Sequence, residues 1–269
     1  MMLVDSHCHL DFPQFADQLD DVVDRASQAG VGAMVTISTK VREFPKALSI
    51  AERYENIYCS VGTHPHYADQ EPDVSVEELV KIAQHPKVVA IGEAGLDYHY
   101  DNAPRDAQAE SFRMQIAAAR KTELPLVIHT RDADDDTAEI LETEMAKGAF
   151  TAVLHCFTAG RRLAERGLDL GLYVSFSGVI TFKNAEELRG IARDIPANRL
   201  LVETDSPFLA PAPMRGKPNE PAFVAHTASK LAELRGLNQK DIAQLTTANF
   251  FNLFSKIPAP EEFEAGTNA

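Results

Sequence analysis

Disulfide staples, membrane spans and a positive overall charge are all missing from this 269-residue sequence. Three cysteines cannot all pair, and Cys8, Cys59 and Cys156 each sit in an apolar run, which reads as buried thiols in a reducing compartment. The cytoplasm is therefore the default location. No uncharged apolar stretch approaches the ~18 residues of a membrane span, so no membrane partner is expected. The opening MMLVDSHCHLD has no basic region and meets an acid at its fifth residue, unlike a signal peptide. Basic residues are the minority: 26 Lys and Arg against 40 Asp and Glu leave a formal charge of −14. That balance excludes a surface that coats nucleic acid through clustered Lys and Arg, yet leaves room for a metal-centred site acting on a phosphodiester. Trp is absent, but 45% of the residues are apolar, which is ample for one large closed α/β domain or two ordinary ones.

Short β-rich runs stand at Leu3–Ser6, Val31–Ser38, Ile57–Gly62, Val88–Glu93, Leu126–His129, Ala152–His155, Tyr173–Ser177 and Leu200–Asp205. Helical spacing fills most gaps between them, at Phe15–Ala29, Val76–His85, Ala107–Thr122, Asp135–Lys147, Ala159–Leu168 and Asn184–Asp194. Eight strand runs with helical segments in most of the gaps predict a (β/α)₈ TIM barrel, an α/β fold whose closed sheet has no exposed edge; an open doubly wound sheet is the alternative. Two additional C-terminal helices are expected at Ala222–Arg235 and Gln239–Phe254, with Phe250, Phe251 and Phe254 as core packing. Residues 1–257 read as the barrel, and 258–269 as an acidic, flexible tail.

Ligand-type side chains fall at the carboxyl ends of these runs, where barrel enzymes carry their chemistry. His7 and His9 are two apart, so strand alternation points both into the mouth. Glu93, His129, His155 and Asp205 end the fourth, fifth, sixth and eighth runs. Four imidazoles and two carboxylates exceed one four-coordinate centre with an open position, and suit two divalent ions about 3.5–4 Å apart. His7, His9 and Asp205 are assigned to one ion, His129 and His155 to the other, with Glu93 as the bridge. The nucleophile would be a hydroxide between the metals, with Asp205 as general base. Imidazoles favour Zn, Co or Ni, and carboxylates with a phosphate favour Mn or Mg.

Asp5 and Glu203 share strand parity with the ligands and are expected to hold histidines by their free ring nitrogens. Asp97 either narrows the mouth or caps a helix. His64, Arg131, Arg215 and Lys217 are the candidates for binding a substrate phosphate, the last two from the loop APAPMRGKPNEP after the eighth run. His85 and His226 read as incidental, while His66 and His99 are left unassigned.

Taken together, VDSHCHLD, GTHPH, IGEAGLDYH, LPLVIHTRDA, LHCFTAG, SFSGVITFKNA, LLVETDSPFLAP and RGKPNEP resemble the TatD family of metal-dependent deoxyribonucleases, within the amidohydrolase-like barrels. TANFFNLF is similar to that family's terminal helix motif. The resemblance spans almost the whole chain. It implies a divalent-metal hydrolase cleaving phosphodiester bonds in DNA as an exonuclease or endonuclease, often best on single strands or strand ends. Residue by residue, it implies the ligands named above and adds His64 and Arg131 on the substrate side. Pro218 stands where the family commonly has a basic residue, which removes one phosphate contact. Two other readings compete: an amidohydrolase-type reaction on a C–N or ester bond of a small molecule, and a non-catalytic binding barrel. Monomer is the default oligomeric state.

Overall fold

A computed structural model describes residues 1–264. Its eight parallel strands are ordered around one sheet as they are in sequence: β1 (Leu3–Cys8), β2 (Val31–Thr36), β3 (Ile57–Val61), β4 (Val88–Asp97), β5 (Leu126–Arg131), β6 (Ala152–Leu154), β7 (Tyr173–Phe176) and β8 (Leu200–Val202). A doubly wound sheet would reverse its strand order at a switch point, and none exists here. The ends meet instead. Cys8 and Ser206 form a parallel bridge, the His9 N–H donates to the Ser206 carbonyl (2.8 Å), and the Asp205 N–H donates to the His7 carbonyl (2.9 Å). The fold is a (β/α)₈ barrel.

Helices α1 (Leu19–Gln28), α2 (Phe44–Arg53), α3 (Val76–Ile82), α4 (Arg105–Thr122), α5 (Asp134–Lys147), α6 (Arg161–Asp169) and α7 (Glu186–Asp194) make the crossovers. Helices α8 (Val224–Arg235), α9 (Gln239–Leu253) and α10 (Glu261–Glu264) follow β8. None is long and apolar enough to cross a membrane. Helix α2 lies in the gap between the second and third runs, where no helix was expected, and it carries Pro45 in its first turn. Proline is tolerated in the first helical turn, where its missing N–H has no intrahelical partner, and the apolar face Phe44, Ala47 and Ala51 is buried. The segment expected as a loose tail includes α10, whose Phe263 ring lies 5.7 Å from that of Phe251. The rest of that tail, 265–269, lies outside the described residues.

Val4, Val35, Val89, Val127, Val153 and Leu201 come from six different strands into one cluster. They can meet only inside the barrel. Phe250 and Phe251 of α9, with Phe254 just past its end, belong to the same cluster, so this helix plugs the barrel floor. Burying each Phe in this way is worth ~1.5–3 kcal/mol. With the floor closed by apolar packing, polar groups are left to the carboxyl ends.

Two strands carry an extra residue beside their ligand-type side chains. Between Asp5 and Cys8, β1 spends three steps where β2 spends two, and β4 does the same against β5 between Ile91 and Ala94. Such bulges re-aim side chains, here around His7 and Glu93. They also let β4 run on to Asp97, four residues past the expected end. Gly95 makes this possible: at φ +143°, a Cβ would stand 1.9 Å from the His129 carbonyl oxygen.

Candidate metal centre

The backbone bonds that close the barrel set His7, His9 and Asp205 side by side. The two Nε2 atoms of His7 and His9 are 3.2 Å apart, and Asp205 Oδ1 lies 3.5 and 3.4 Å from them. Glu93 reaches in from β4, on the far side of β2 and β3. Its Oε2 lies 3.5 Å from His7 Nε2 and 3.9 Å from His9 Nε2. Its Oε1 faces a different set: His155 Nε2 at 2.8 Å, His129 Nδ1 at 3.1 Å and His64 Nε2 at 3.4 Å. One carboxylate thus divides its oxygens between two groups of imidazoles.

Partners on the outer ring nitrogens decide which nitrogens are bare. His9 Nδ1 must donate to the Ile37 carbonyl (3.2 Å), so neutral His9 aims an unprotonated Nε2 at the carboxylates. His155 Nδ1 faces Glu203 Oε1 (3.2 Å), and His129 Nε2 faces Asp97 Oδ2 (2.9 Å); each carboxylate accepts a ring proton and leaves the inward nitrogen bare. Lone pairs would then oppose carboxylate oxygens at hydrogen-bond distance, so protons or cations must sit between them. His64 differs. Its Nδ1 accepts the His66 backbone N–H (3.1 Å), which puts the proton of the neutral ring on Nε2 and makes His64 a donor toward Glu93.

The charge balance of the metal-free cluster follows. Burial alone would raise Glu93, but the imidazoles of His155, His64 and His7 outweigh it and hold this carboxyl well below its usual range. Burial also opposes charge on His155, yet Glu93 and Glu203 hold this ring well above its ordinary value. His9 and His129 are raised against burial by Asp205 and Glu93 and by Asp97 and Glu93, respectively. Burial wins at His7, which is lowered well below its ordinary value, and at His64, lowered to about 4. Among the described residues, three sets of ligand atoms converge closely enough to hold an ion: His7, Glu93 and His155; His7, His9 and Asp205; and His64, Glu93 and His129. The bare nitrogens and carboxylate oxygens fit divalent cations, and His64 fits least well because its inward nitrogen carries the proton.

Other expected residues fall into place unevenly. Glu203 holds His155 and also accepts the Cys156 N–H (2.7 Å). Asp5 does not hold a ring; it accepts from the His7 and Thr204 backbone N–H groups (3.3 and 2.9 Å) and from the Thr204 hydroxyl (2.5 Å). Its Thr204 partner lies just past β8, across the seam that closes the barrel. Asp97 does more than either expectation: Oδ2 bridges His66 and His129, each at 2.9 Å, and Oδ1 accepts the His99 and Tyr100 N–H groups. Cys8, Cys59 and Cys156 are free thiols.

A cavity of about 650 Å³ opens above the cluster. Arg131 lines it, with its guanidinium over the Tyr100 ring (4.9 Å). Arg215 lies over Phe182 (3.7 Å), whose ring lines the cavity, whereas Lys217 is exposed and does not line it. The sequence reading missed the aromatic lining altogether, including Phe12, Tyr67, Tyr100, Phe182 and Phe208. The one available signal was Phe208, three residues past Asp205 at the end of the eighth run.

A closed (β/α)₈ barrel with imidazoles and carboxylates converging on its carboxyl face defines a metal-dependent hydrolase. Comparison with known proteins narrows this: the family described as TatD related DNase matches residues 4–255, and the chain belongs to it. YcfH of Escherichia coli strain K12, named an uncharacterized metal-dependent hydrolase, is 44% identical over 257 residues, covering 94% of this chain and 96% of that protein. A Salmonella typhimurium relative named 3'-5' ssDNA/RNA exonuclease TatD is 35% identical over 260 residues, covering 95% and 100%. The crystal structure of YjjV, a TatD homologue from Escherichia coli, superposes with a TM-score of 0.88 at 33% identity, covering 95% of this chain and 98% of that one.

Proposed function

We propose that this chain is a divalent-metal nuclease that hydrolyses phosphodiester bonds in DNA, acting on single strands or strand ends. The observation that carries the reading is the division of Glu93 between two imidazole groups, a donor set suited to a pair of ions. His7, His9 and Asp205 would hold one ion and His129 and His155 the other, with Glu93 shared. When bound, such ions supply Lewis-acid activation of a water and of a phosphoryl oxygen.

The chain's own groups supply the rest. Asp205, with its side chain 15% exposed against 3% for Glu93, is the carboxylate of the centre with more access to the cavity, which supports it as the group that would take the proton of an attacking water. His64 Nε2–H can donate to a phosphoryl oxygen near Glu93, and its low proton affinity keeps it a neutral donor. Arg131 at the wall can pair with a flanking phosphate. The name of the Salmonella relative supports a nucleic-acid substrate. The deciding assay uses metal-stripped protein, reconstituted with Mg, Mn, Zn, Co or Ni, on defined single- and double-stranded DNA. Metal-dependent cleavage is expected; turnover of C–N or carboxylic ester substrates with no phosphodiester cleavage would overturn the reading.

A further inference from the structure

Of fourteen Phe and six Tyr residues, only Tyr100 (56%) and Phe208 (46%) are exposed. Both line the cavity over the cluster. Tyr100 follows β4 and Phe208 follows β8, strands that stand opposite one another in an eight-stranded barrel. The two rings therefore rise from facing sides of one mouth. Each is braced by its neighbours rather than free to fold down. Tyr100 has edge contacts with His66 (5.3 Å) and His99 (4.9 Å) and carries the Arg131 guanidinium at 4.9 Å. Phe208 stands edge-on to Phe12 (5.8 Å) and to His9 (6.3 Å).

Exposed aromatic surface that is held in place and gathered at an active-site mouth is a stacking surface awaiting a flat partner. We propose that Tyr100 and Phe208 are the two jaws of a clamp, each stacking one unpaired nucleobase on either side of the phosphate at the cluster. This deepens the nuclease reading and rests on it. A duplex keeps its bases stacked on one another and offers these rings nothing, so the clamp selects single strands. Base stacking tolerates any sequence, because every base has a π face. It also suits a chain of formal charge −14: the affinity that an acidic protein cannot draw from bulk charge comes from stacking at two positions.

The test scans a single-stranded oligonucleotide with one abasic site moved position by position, using the metal-reconstituted enzyme and its Tyr100→Ala and Phe208→Ala variants. On the intact strand, each variant is expected to raise KM about 5–150-fold, the range set by base–aromatic stacking, with kcat changing less. One abasic position should erase the penalty of Tyr100→Ala and a different one that of Phe208→Ala. Tyr100→Phe and Phe208→Tyr keep a ring and should restore KM, which separates lost stacking from a misfolded mouth. Penalties that persist at every abasic position, or variants that match wild type on the intact strand, would overturn the clamp and leave the nuclease reading standing. Wild-type enzyme that cleaves no oligonucleotide would overturn both.

Discussion

Glu203 Oε1 lies 3.2 Å from His155 Nδ1, and the inward nitrogen of that ring lies 2.8 Å from Glu93. The buried carboxylate thus fixes which nitrogen of His155 carries a proton and raises the basicity of the other. Glu203→Gln keeps an oxygen acceptor for the Cys156 N–H but removes the charge. It is expected to weaken metal affinity by about 10–100-fold. Titrating activity with Mn or Zn checks this: the variant should need more metal and recover activity at saturation. An unchanged metal midpoint would show that Glu203 only supports the backbone.

Cation binding to the cluster also predicts a stability change. Metal at ~100 times its Kd stabilises the folded state by about 2.7 kcal/mol, which for a chain of this size is roughly 5–10 °C in Tm. Thermal melts of stripped protein with and without Mn or Zn should show this rise. Glu93→Gln should abolish most of it, since Glu93 faces both imidazole groups. An equal rise in both proteins would place the metal elsewhere.

Arg131 gives a prediction in salt. If its guanidinium meets a phosphate of the bound strand, Arg131→Ala should lower kcat/KM on single-stranded DNA by about tenfold. It should also reduce the slope of log(kcat/KM) against log salt by ~0.7, the increment for one phosphate contact on a single strand. Arg131→Lys keeps the charge but loses the planar contact with Tyr100, and should restore the slope more fully than the rate. A wild-type slope in Arg131→Ala would remove this residue from the phosphate path.

The barrel was legible because each strand is a short apolar run and the ligand-type residues stand where the runs end. Where the sequence reading stopped short, the cause was an interaction between segments distant in sequence. β4 continues past Glu93 only because Gly95 admits the His129 carbonyl, a contact invisible along the chain. The acceptor role of Asp5 depends on Thr204, which β8 brings across the closing seam. Tyr100 and Phe208 escaped notice for another reason. An aromatic residue in a sequence is most often core, and exposure is a property of the folded surface.

Gly95 itself carries a stability prediction. A methyl group there would meet the His129 carbonyl at 1.9 Å from a backbone conformation that side chains rarely adopt. Gly95→Ala must push β4 away from β5 and disturb His129, at a cost of roughly 3 kcal/mol or more. Urea unfolding would show a lower midpoint or no folded protein. A variant within about 1 kcal/mol of wild type would mean that the strands part easily at this point.

Asp5 supplies a pH dependence whose sign is opposite to that of an ordinary paired carboxylate. Burial pushes its carboxyl up to about 8, against the hydrogen bonds from Thr204 and His7 that favour the charged form. The folded state therefore binds this proton more tightly than the unfolded chain does. Its contribution to stability is fully present below the unfolded value of about 4 and is lost as pH rises toward about 8, at ~1 kcal/mol per pH unit. Asn imitates the protonated acid, with its oxygen accepting the two N–H groups and its amide donating to the Thr204 hydroxyl. In metal-stripped protein, the stability of wild type minus that of Asp5→Asn should fall steadily between pH 5 and pH 8. Taking the difference cancels the imidazoles of the cluster, which titrate in both proteins. A flat difference would show that Asp5 is ionised throughout this window and that the Thr204 contacts outweigh its burial.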